Sequence, residues 1–259
     1  MTEAEAYRML LAIDIGNTLT KFAVFDEDNL VNSFKIYSET TKSEDSYRQE
    51  FLSLAEGLKK KPNIDKVIIC SVVPVLTHIW VSIAKKTLKV RPKIVGPGLK
   101  CGIPIKVDEP GSVGTDLVAD AIGALVEYGP ACMICDMGTA TKFILLDKDG
   151  AFGGVAIAPG FGASMDSLVN KTASLPEVSA IAPKKIVGKN TADSMNSGIV
   201  YGAVFEIEGF AQAIEKEVGY PLKRILTGGY APFVAKHLPE FKMDEALTVK
   251  GIKEIAKRN

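Results

Sequence analysis

Two short segments of this chain place an aspartate, a glycine and threonines where an apolar run ends. The first reads Asp14-Ile15-Gly16-Asn17-Thr18 and continues through Leu19-Thr20-Lys21-Phe22 to Asp26. The second reads Asp136-Met137-Gly138-Thr139 and continues through Ala140-Thr141-Lys142-Phe143 to Asp147. With one residue deleted in the turn, Asp-x-Gly, Thr-Lys-Phe and the trailing Asp coincide. A glycine directly after a strand lets the backbone turn tightly and bring successive N–H groups to an anion, with threonine hydroxyls as further donors. Either segment alone also fits a plain hairpin turn. Two copies, each headed by a carboxylate, favour phosphate binding. A carboxylate beside a phosphate is repelled unless a cation lies between them. Asp14 and Asp136 are therefore candidate direct or water-mediated ligands of Mg²⁺, or of another cation, bridging nucleotide oxygens.

Two further segments fit phosphoryl transfer, which depends mainly on positioning and charge neutralisation. Leu226-Thr227-Gly228-Gly229 follows an apolar run and precedes a helical one, so its glycines could pass under an adenine or ribose. A transferase acting on an alcohol also needs a group to take the hydroxyl proton. Gly114-Thr115-Asp116 offers one, with Gly114 freeing the backbone at a helix start and Asp116 in the first turn. Asp116 could equally complement the helix dipole, and Asp120 is the alternative carboxylate one turn on.

The elements that must position these residues alternate between strand-length apolar runs and longer amphipathic stretches, the pattern of an α/β protein. Strands are expected at 9–15, 20–25, 30–36, 66–70, 93–95, 103–107, 131–136, 141–146, 154–157 and 224–227. Helices are expected at 43–60, 74–86, 114–128, 161–172, 191–218, 231–237 and 248–257. Each copy of the repeat is then a strand–turn–strand. The chain reads as two duplicated halves, residues 9–115 and 116–259, with a nucleotide cleft expected between them. On the long helix Thr191–Val218, the stripe Val200, Val204, Ile207, Phe210, Ala211 and Ile214 is apolar. It suits either a homodimer interface or packing inside one subunit.

Bulk composition excludes several classes. The 259 residues are 47% hydrophobic and 24% charged, with Lys plus Arg equal to Asp plus Glu at 31 each, an ordinary globular balance. Nucleic-acid binding needs a surplus of cations that this chain lacks. The densest basic cluster, Lys59-Lys60-Lys61, reads as the solvated end of a helix. Cys132 and Cys135 form a C-x-x-C, but zinc would require a second pair, and both read as inert thiols on a buried strand. His78 and His237 belong to no motif. No segment reaches the length of about 18 apolar residues that a membrane span needs. The acidic Met1–Arg8 carries no apolar signal core, and a cytoplasmic protein is expected.

Taken together these residues resemble the type III pantothenate kinases. That family carries Asp-x-Gly-Asn-Thr, here Asp14 to Thr18; Gly-x-Asp-Arg, here Gly114-Thr115-Asp116 and then Leu117; and Asp-x-Gly-Thr-Ala-Thr-Thr, here Asp136 to Thr141 and then Lys142. Ser71-Val72-Val73-Pro74, Gly96-Pro97-Gly98, Gly153-Gly154, Pro159-Gly160, Leu175-Pro176, Gly188 to Thr191, Ser197-Gly198-Ile199 and Thr227-Gly228-Gly229 follow in the family's order. The resemblance runs from Met9 to the last residues. It implies two ribonuclease-H-like halves of the actin-like ATPase type, and ATP-dependent phosphorylation of pantothenate, the first committed step toward coenzyme A. It implies Asp116 as catalytic base, Asp14 to Lys21 as first phosphate loop, and Gly138, Thr139, Thr141, Gly228 and Gly229 at the nucleotide. It further implies Gly114, Thr115, Leu117 and Thr191 at the substrate, with Thr191 reaching across a homodimer. Thr191 could instead cap its helix. Mg²⁺ and a monovalent cation, potassium or ammonium, are the implied ions, the latter on Asp136. Two positions depart from the family. Leu117 stands where a substrate-holding Arg is expected, and losing such a fork could cost a few kcal/mol of binding. Lys142 stands where a threonine is expected, as cationic compensation at the phosphate or as a lysine turned to solvent. A paralogue acting on another small alcohol, and a nucleotide-binding regulator without catalysis, are the rival readings.

Overall fold

The side-chain alternation of β1 (Met9–Ile15), buried on both faces from Leu11 onward, fixes which face of the first sheet carries chemistry. Leu11, Ile13 and Ile15 point into one core, so Asp14 projects from the opposite face. The computed structural model of the protein describes residues 9–56, 64–96, 98–170 and 180–259. Lys59-Lys60-Lys61, Leu175-Pro176, Pro97 and the far ends of the helices expected at 43–60 and 161–172 lie outside the described residues.

The chain continues through β2 (Leu19–Asp26), β3 (Asn29–Tyr37), α1 (Glu44–Glu56), β4 (Ile64–Ser71), α2 (Pro74–Ile83) and β5 (Lys93–Ile94). Then come α3 (Thr115–Tyr128), β6 (Cys132–Met137), β7 (Ala140–Leu146), β8 (Phe152–Pro159) and α4 (Phe161–Asn170). The remainder is α5 (Thr191–Val218), β9 (Lys223–Thr227), α6 (Ala231–Val234), β10 (Phe241–Met243) and α7 (Leu247–Lys257). The first sheet has the order β3-β2-β1-β4-β5 and the second β8-β7-β6-β9-β10, the same path drawn twice. In each, three antiparallel strands precede two that join in parallel. This is the duplication that the repeated motif implies: two ribonuclease-H-like halves. One expectation is corrected. Residues 103–107 form no strand; only Ile105 makes a single bridge, to Phe152. The short β10, too brief to show a period, went unanticipated.

Contacts divide the chain into two compact units. The first takes the described residues up to Gly102, Gly111–Gly123 and Thr248–Asn259; the second takes Ile103–Pro110 and Ala124–Leu247. The last helix thus belongs by its contacts to the first unit. In that unit α1 and α2 cover one sheet face through an aromatic cluster: Phe22 stacks on Phe34 at 4.8 Å and meets Trp80 edge-on at 4.7 Å. In the second unit Met133, Cys135 and Met137 face a core shared with Val200, Val204, Ile207 and Ala211 of α5. The apolar stripe of α5 is therefore spent inside the subunit. Burial dominates at the C-x-x-C thiols: Cys132, which donates to the Gly129 carbonyl at 3.2 Å, is pushed up to about 11, and Cys135 well above its usual range.

Helix α7 is tied to the first unit at several points. The Thr248 hydroxyl donates to Asp120 Oδ1 at 2.6 Å, and Lys253 and Lys257 both reach Asp28 in the β2–β3 turn. Those two ammonium groups hold the Asp28 carboxyl down at about 2. Gly251 is the closest approach: a Cβ there would lie 1.8 Å from the Ala119 carbonyl oxygen of α3. Backbone cannot yield as a flexible side chain can, so Gly251→Ala should cost about 3 kcal/mol. The matching fall in melting temperature is roughly 6–12 °C. An unchanged melting temperature, read by circular dichroism, would contradict this close helix crossing.

Candidate functional site

In the first unit the Asp14 carboxylate stands at the end of β1, 8% exposed, where the sheet gives way to a turn. The Gly16 N–H donates to the Leu19 carbonyl at 3.0 Å and closes that turn, leaving Asn17 and Thr18 exposed. Its far side is fixed by Ser38 N–H donating to the Thr18 carbonyl at 2.9 Å and by the Thr20 and Ser38 hydroxyls at 2.9 Å. Lys21, paired with Asp14 across the hairpin, holds its ammonium 4.0 Å from Asp14 Oδ2.

The start of α3 is anchored beside the same strand ends. The Thr115 hydroxyl donates to the Ser71 carbonyl at the end of β4 at 3.3 Å, and the Cys70 thiol donates to Thr115. Thr115 is thus engaged as a joint. Asp116 follows, half-buried, with its carboxylate folded back over Gly114, where a Cβ would stand 2.5 Å from Oδ1. Burial pushes the Cys70 thiol far up, and the Asp14, Asp116 and Asp120 carboxylates add to the shift. Of these, Asp120 is 1% exposed and accepts from Thr248, whereas Asp116 keeps access to solvent. Leu117 is 6% exposed and packs as core.

The second unit repeats the arrangement with a shorter turn. The Gly138 N–H donates to the Ala140 carbonyl at 3.1 Å, and Thr139 is exposed. The Asp136 carboxylate, 8% exposed, adjoins Gly138, and Lys142 Nζ donates to its Oδ2 at 2.6 Å. Two glycines shape the surroundings. A Cβ at Gly228, whose φ is +97°, would lie 2.5 Å from Met137 backbone, and one at Gly160 would lie 2.0 Å from the Thr139 carbonyl oxygen. Only glycine lets β9 and the start of α4 approach the turn so closely. The Tyr230 N–H donates to the Met137 carbonyl at 3.0 Å and fastens the Gly228-Gly229 segment beside the turn. Thr141 is 3% exposed, and its hydroxyl is spent on the Pro159 carbonyl at 3.2 Å. Behind this hairpin Thr141, Ser164 and Glu206 line a cavity of about 140 Å³, where burial raises the Glu206 carboxyl.

Elsewhere, Asn190, not Thr191, caps α5: its Oδ1 accepts from the Asp193 N–H at 2.8 Å. Thr191 is the exposed first residue of that helix. His237 packs against Tyr201 with ring centroids 5.2 Å apart, and His78 is exposed. Gly160 was not singled out as a site residue, although Pro159-Gly160 between a strand and a helix is the signal that marks it.

Comparison with known proteins agrees with this geometry. A family model described as type III pantothenate kinase matches residues 10–213. A type III pantothenate kinase of Dehalococcoides mccartyi (strain ATCC BAA-2266 / KCTC 15142 / 195) is 36% identical over 252 residues, covering 96% of this chain and 98% of the relative. Another, from Citrifermentans bemidjiense, is 37% identical and covers 97% of this chain and 100% of the relative. The fold is shared with the solved ROK hexokinase of Thermus thermophilus, at a TM-score of 0.51 and 11% identity, with 95% of this chain and 98% of that one covered. With a family model spanning most of its length and relatives aligned almost end to end, the chain belongs to the type III pantothenate kinase family.

Proposed function

We propose that this protein transfers the γ-phosphoryl group of ATP to the primary hydroxyl of pantothenate, the reaction that opens coenzyme A biosynthesis. The observation that carries the catalytic part is Asp116, a half-buried carboxylate in the first turn of α3 that keeps access to solvent. Asp116 accepts the hydroxyl proton as the oxygen attacks the γ-phosphorus; the new O–P bond forms, the bond to the β–γ bridging oxygen breaks, and ADP departs. The N–H groups of Asn17, Thr18 and Thr139 are the phosphate donors in this reading, on turns that the Gly16 and Gly138 N–H groups close by bonding to Leu19 and Ala140. Gly228 and Gly229 line the nucleoside, Gly114 and Thr115 shape the acceptor side, and Thr141 braces the second turn from behind. Magnesium carried by a nucleotide takes one or two carboxylates beside phosphate oxygens and water, and Asp14 fits that demand at a strand end. When bound it would neutralise charge developing on the phosphates. The monovalent cation that the resemblance places on Asp136 meets a different donor set, a carboxylate already bonded to the Lys142 ammonium.

A homodimer built on α5 is part of the same proposal, with Thr191 serving the partner's site. Support comes from a second face of α5, distinct from the stripe spent in the core. Gly198, Gly202, Phe205 and Gly209 are exposed there, and a Cβ on any of the three glycines would meet nothing within 4 Å. Glycine inside a helix costs about 1 kcal/mol relative to alanine, a cost that close approach of a second helix would offset. No helix among the described residues is long and apolar enough to cross a membrane, and we place the enzyme in the cytoplasm.

Three measurements test this reading. With ATP and pantothenate the parent should form phosphopantothenate and ADP in equal amounts, detected by mass, whereas Asp116→Asn should lose roughly a hundredfold or more in turnover with smaller changes in binding. ADP release only with another alcohol would favour the paralogue, and no release would favour the regulator. Light scattering should give a dimer mass that Phe205→Glu lowers to a monomer; a fully active monomeric parent would refute the dimer. Leu117→Arg should lower the melting temperature without lowering KM for pantothenate, because a guanidinium at a 6% exposed position is a buried unpaired charge. A lower KM at unchanged stability would show instead that position 117 reaches the substrate.

A further inference from the structure

A lysine stands directly across the hairpin from the strand-end aspartate in both halves: Lys21 opposite Asp14 and Lys142 opposite Asp136. Residues so paired share one face of the sheet and lie within reach of each other. The two pairs differ in closeness. Lys21, 32% exposed, keeps its ammonium 4.0 Å from Asp14 Oδ2. Lys142 is 18% exposed and lies 2.6 Å from Asp136 Oδ2, with the carboxylate side chain at 12%. The other oxygen of Asp136 is backed by Gly228, where even a Cβ would come within 2.6 Å of Oδ1. One oxygen thus holds an ammonium and the other is packed against backbone.

A free potassium ion does not fit this donor set. Potassium in a protein site exchanges its hydration shell for several oxygen atoms, and a second monocation at Asp136 would stand beside one already bonded there, against like-charge repulsion. A threonine at 142, the family's residue, would leave the carboxylate open to such an ion; a lysine closes it. We infer that the Lys142 ammonium is itself the monovalent cation of the second phosphate turn, so that phosphoryl transfer in this chain requires no added potassium or ammonium. The charge balance is unchanged, since one tethered unit charge replaces one free one. Tethering removes the need to recruit an ion from solution, because a short link sets an effective concentration of about millimolar or more. The methylene stem of Lys142 covers sheet surface while its head reaches the carboxylate. Lys142 is in this account a positioning residue acting through Asp136 and the turn, and the inference rests on the pantothenate kinase reading above.

The test compares the full-length protein in sodium and in potassium salts at equal ionic strength, with phosphopantothenate measured directly by mass. Coupling through pyruvate kinase is avoided because that enzyme has its own potassium requirement. The parent should turn over at the same rate in both salts. Lys142→Thr should fall by about a hundredfold in sodium, the loss expected on removing one electrostatic stabiliser of the transition state, and regain activity in potassium or ammonium chloride. Lys142→Met, which keeps the bulk and removes the charge, should fall without regaining. Thermal unfolding supplies a readout independent of turnover: potassium, unlike sodium, should raise the melting temperature of Lys142→Thr and leave the parent unmoved. A parent that is activated, or stabilised, by potassium over sodium overturns the inference even where a variant fails to fold. A parent that ignores potassium in unfolding yet makes no phosphopantothenate in either salt instead refutes the substrate reading.

Discussion

A strand-end carboxylate held against a turn by antiparallel register is the constraint on which the rest of this structure depends. The pairing of Asp14 with Lys21, and of Asp136 with Lys142, follows from which residues of β1 and β6 face the core. A slip of one residue would turn each aspartate into apolar packing and expose an isoleucine or a methionine in its place. The core thereby fixes the position of the charges. The charges in turn require a neutralising partner, because an isolated carboxylate so little exposed would be costly. Each half meets that requirement with its own lysine, and the second does so at hydrogen-bonding distance.

The surroundings of the turns show how much of the fold serves them. Gly228 and Gly160 bring β9 and the start of α4 onto the second turn, at separations that no side chain would permit. In the first unit the link from Ser71 through Thr115 fixes the start of α3, and with it Asp116, relative to the end of β4. Helix α7, carried by Gly251 onto α3 and by Thr248 onto Asp120, braces that helix from its other side. Asp120 is therefore bound to α7 through Thr248, and Asp116, one turn earlier on α3, is the more exposed of the two carboxylates.

Much of this was legible in the sequence because a repeat with one deletion carries its own control. The six coincident positions foretold two equivalent hairpins, and the deletion fell where the second turn is shorter. Helix α5 was legible to its ends, since Asn190 and Gly219 are strong boundary signals. Less was legible where tertiary contact decides. The apolar run 103–107 alternates like a strand, yet only Ile105 finds a partner, so pattern without pairing did not make one. The stripe on α5 could not be assigned to core or interface until its neighbours were known. Nothing in the identity of Lys142 distinguished a solvent-facing lysine from one buried against Asp136; only its register partner does. Leu117, at the position where the family carries a guanidinium, is 6% exposed, a burial that its identity alone did not disclose.

The central claim is that the two glycine turns donate their backbone N–H groups to the phosphates of the nucleotide. Amide chemical shifts of the ¹⁵N-labelled protein, followed as a non-hydrolysable magnesium–ATP analogue is titrated in, test it most directly. The account predicts that the amides of Asn17, Thr18 and Thr139 move together on one saturating curve, and that adenosine, which lacks phosphates, leaves them in place. Saturable binding of the analogue with those three resonances unmoved would contradict it.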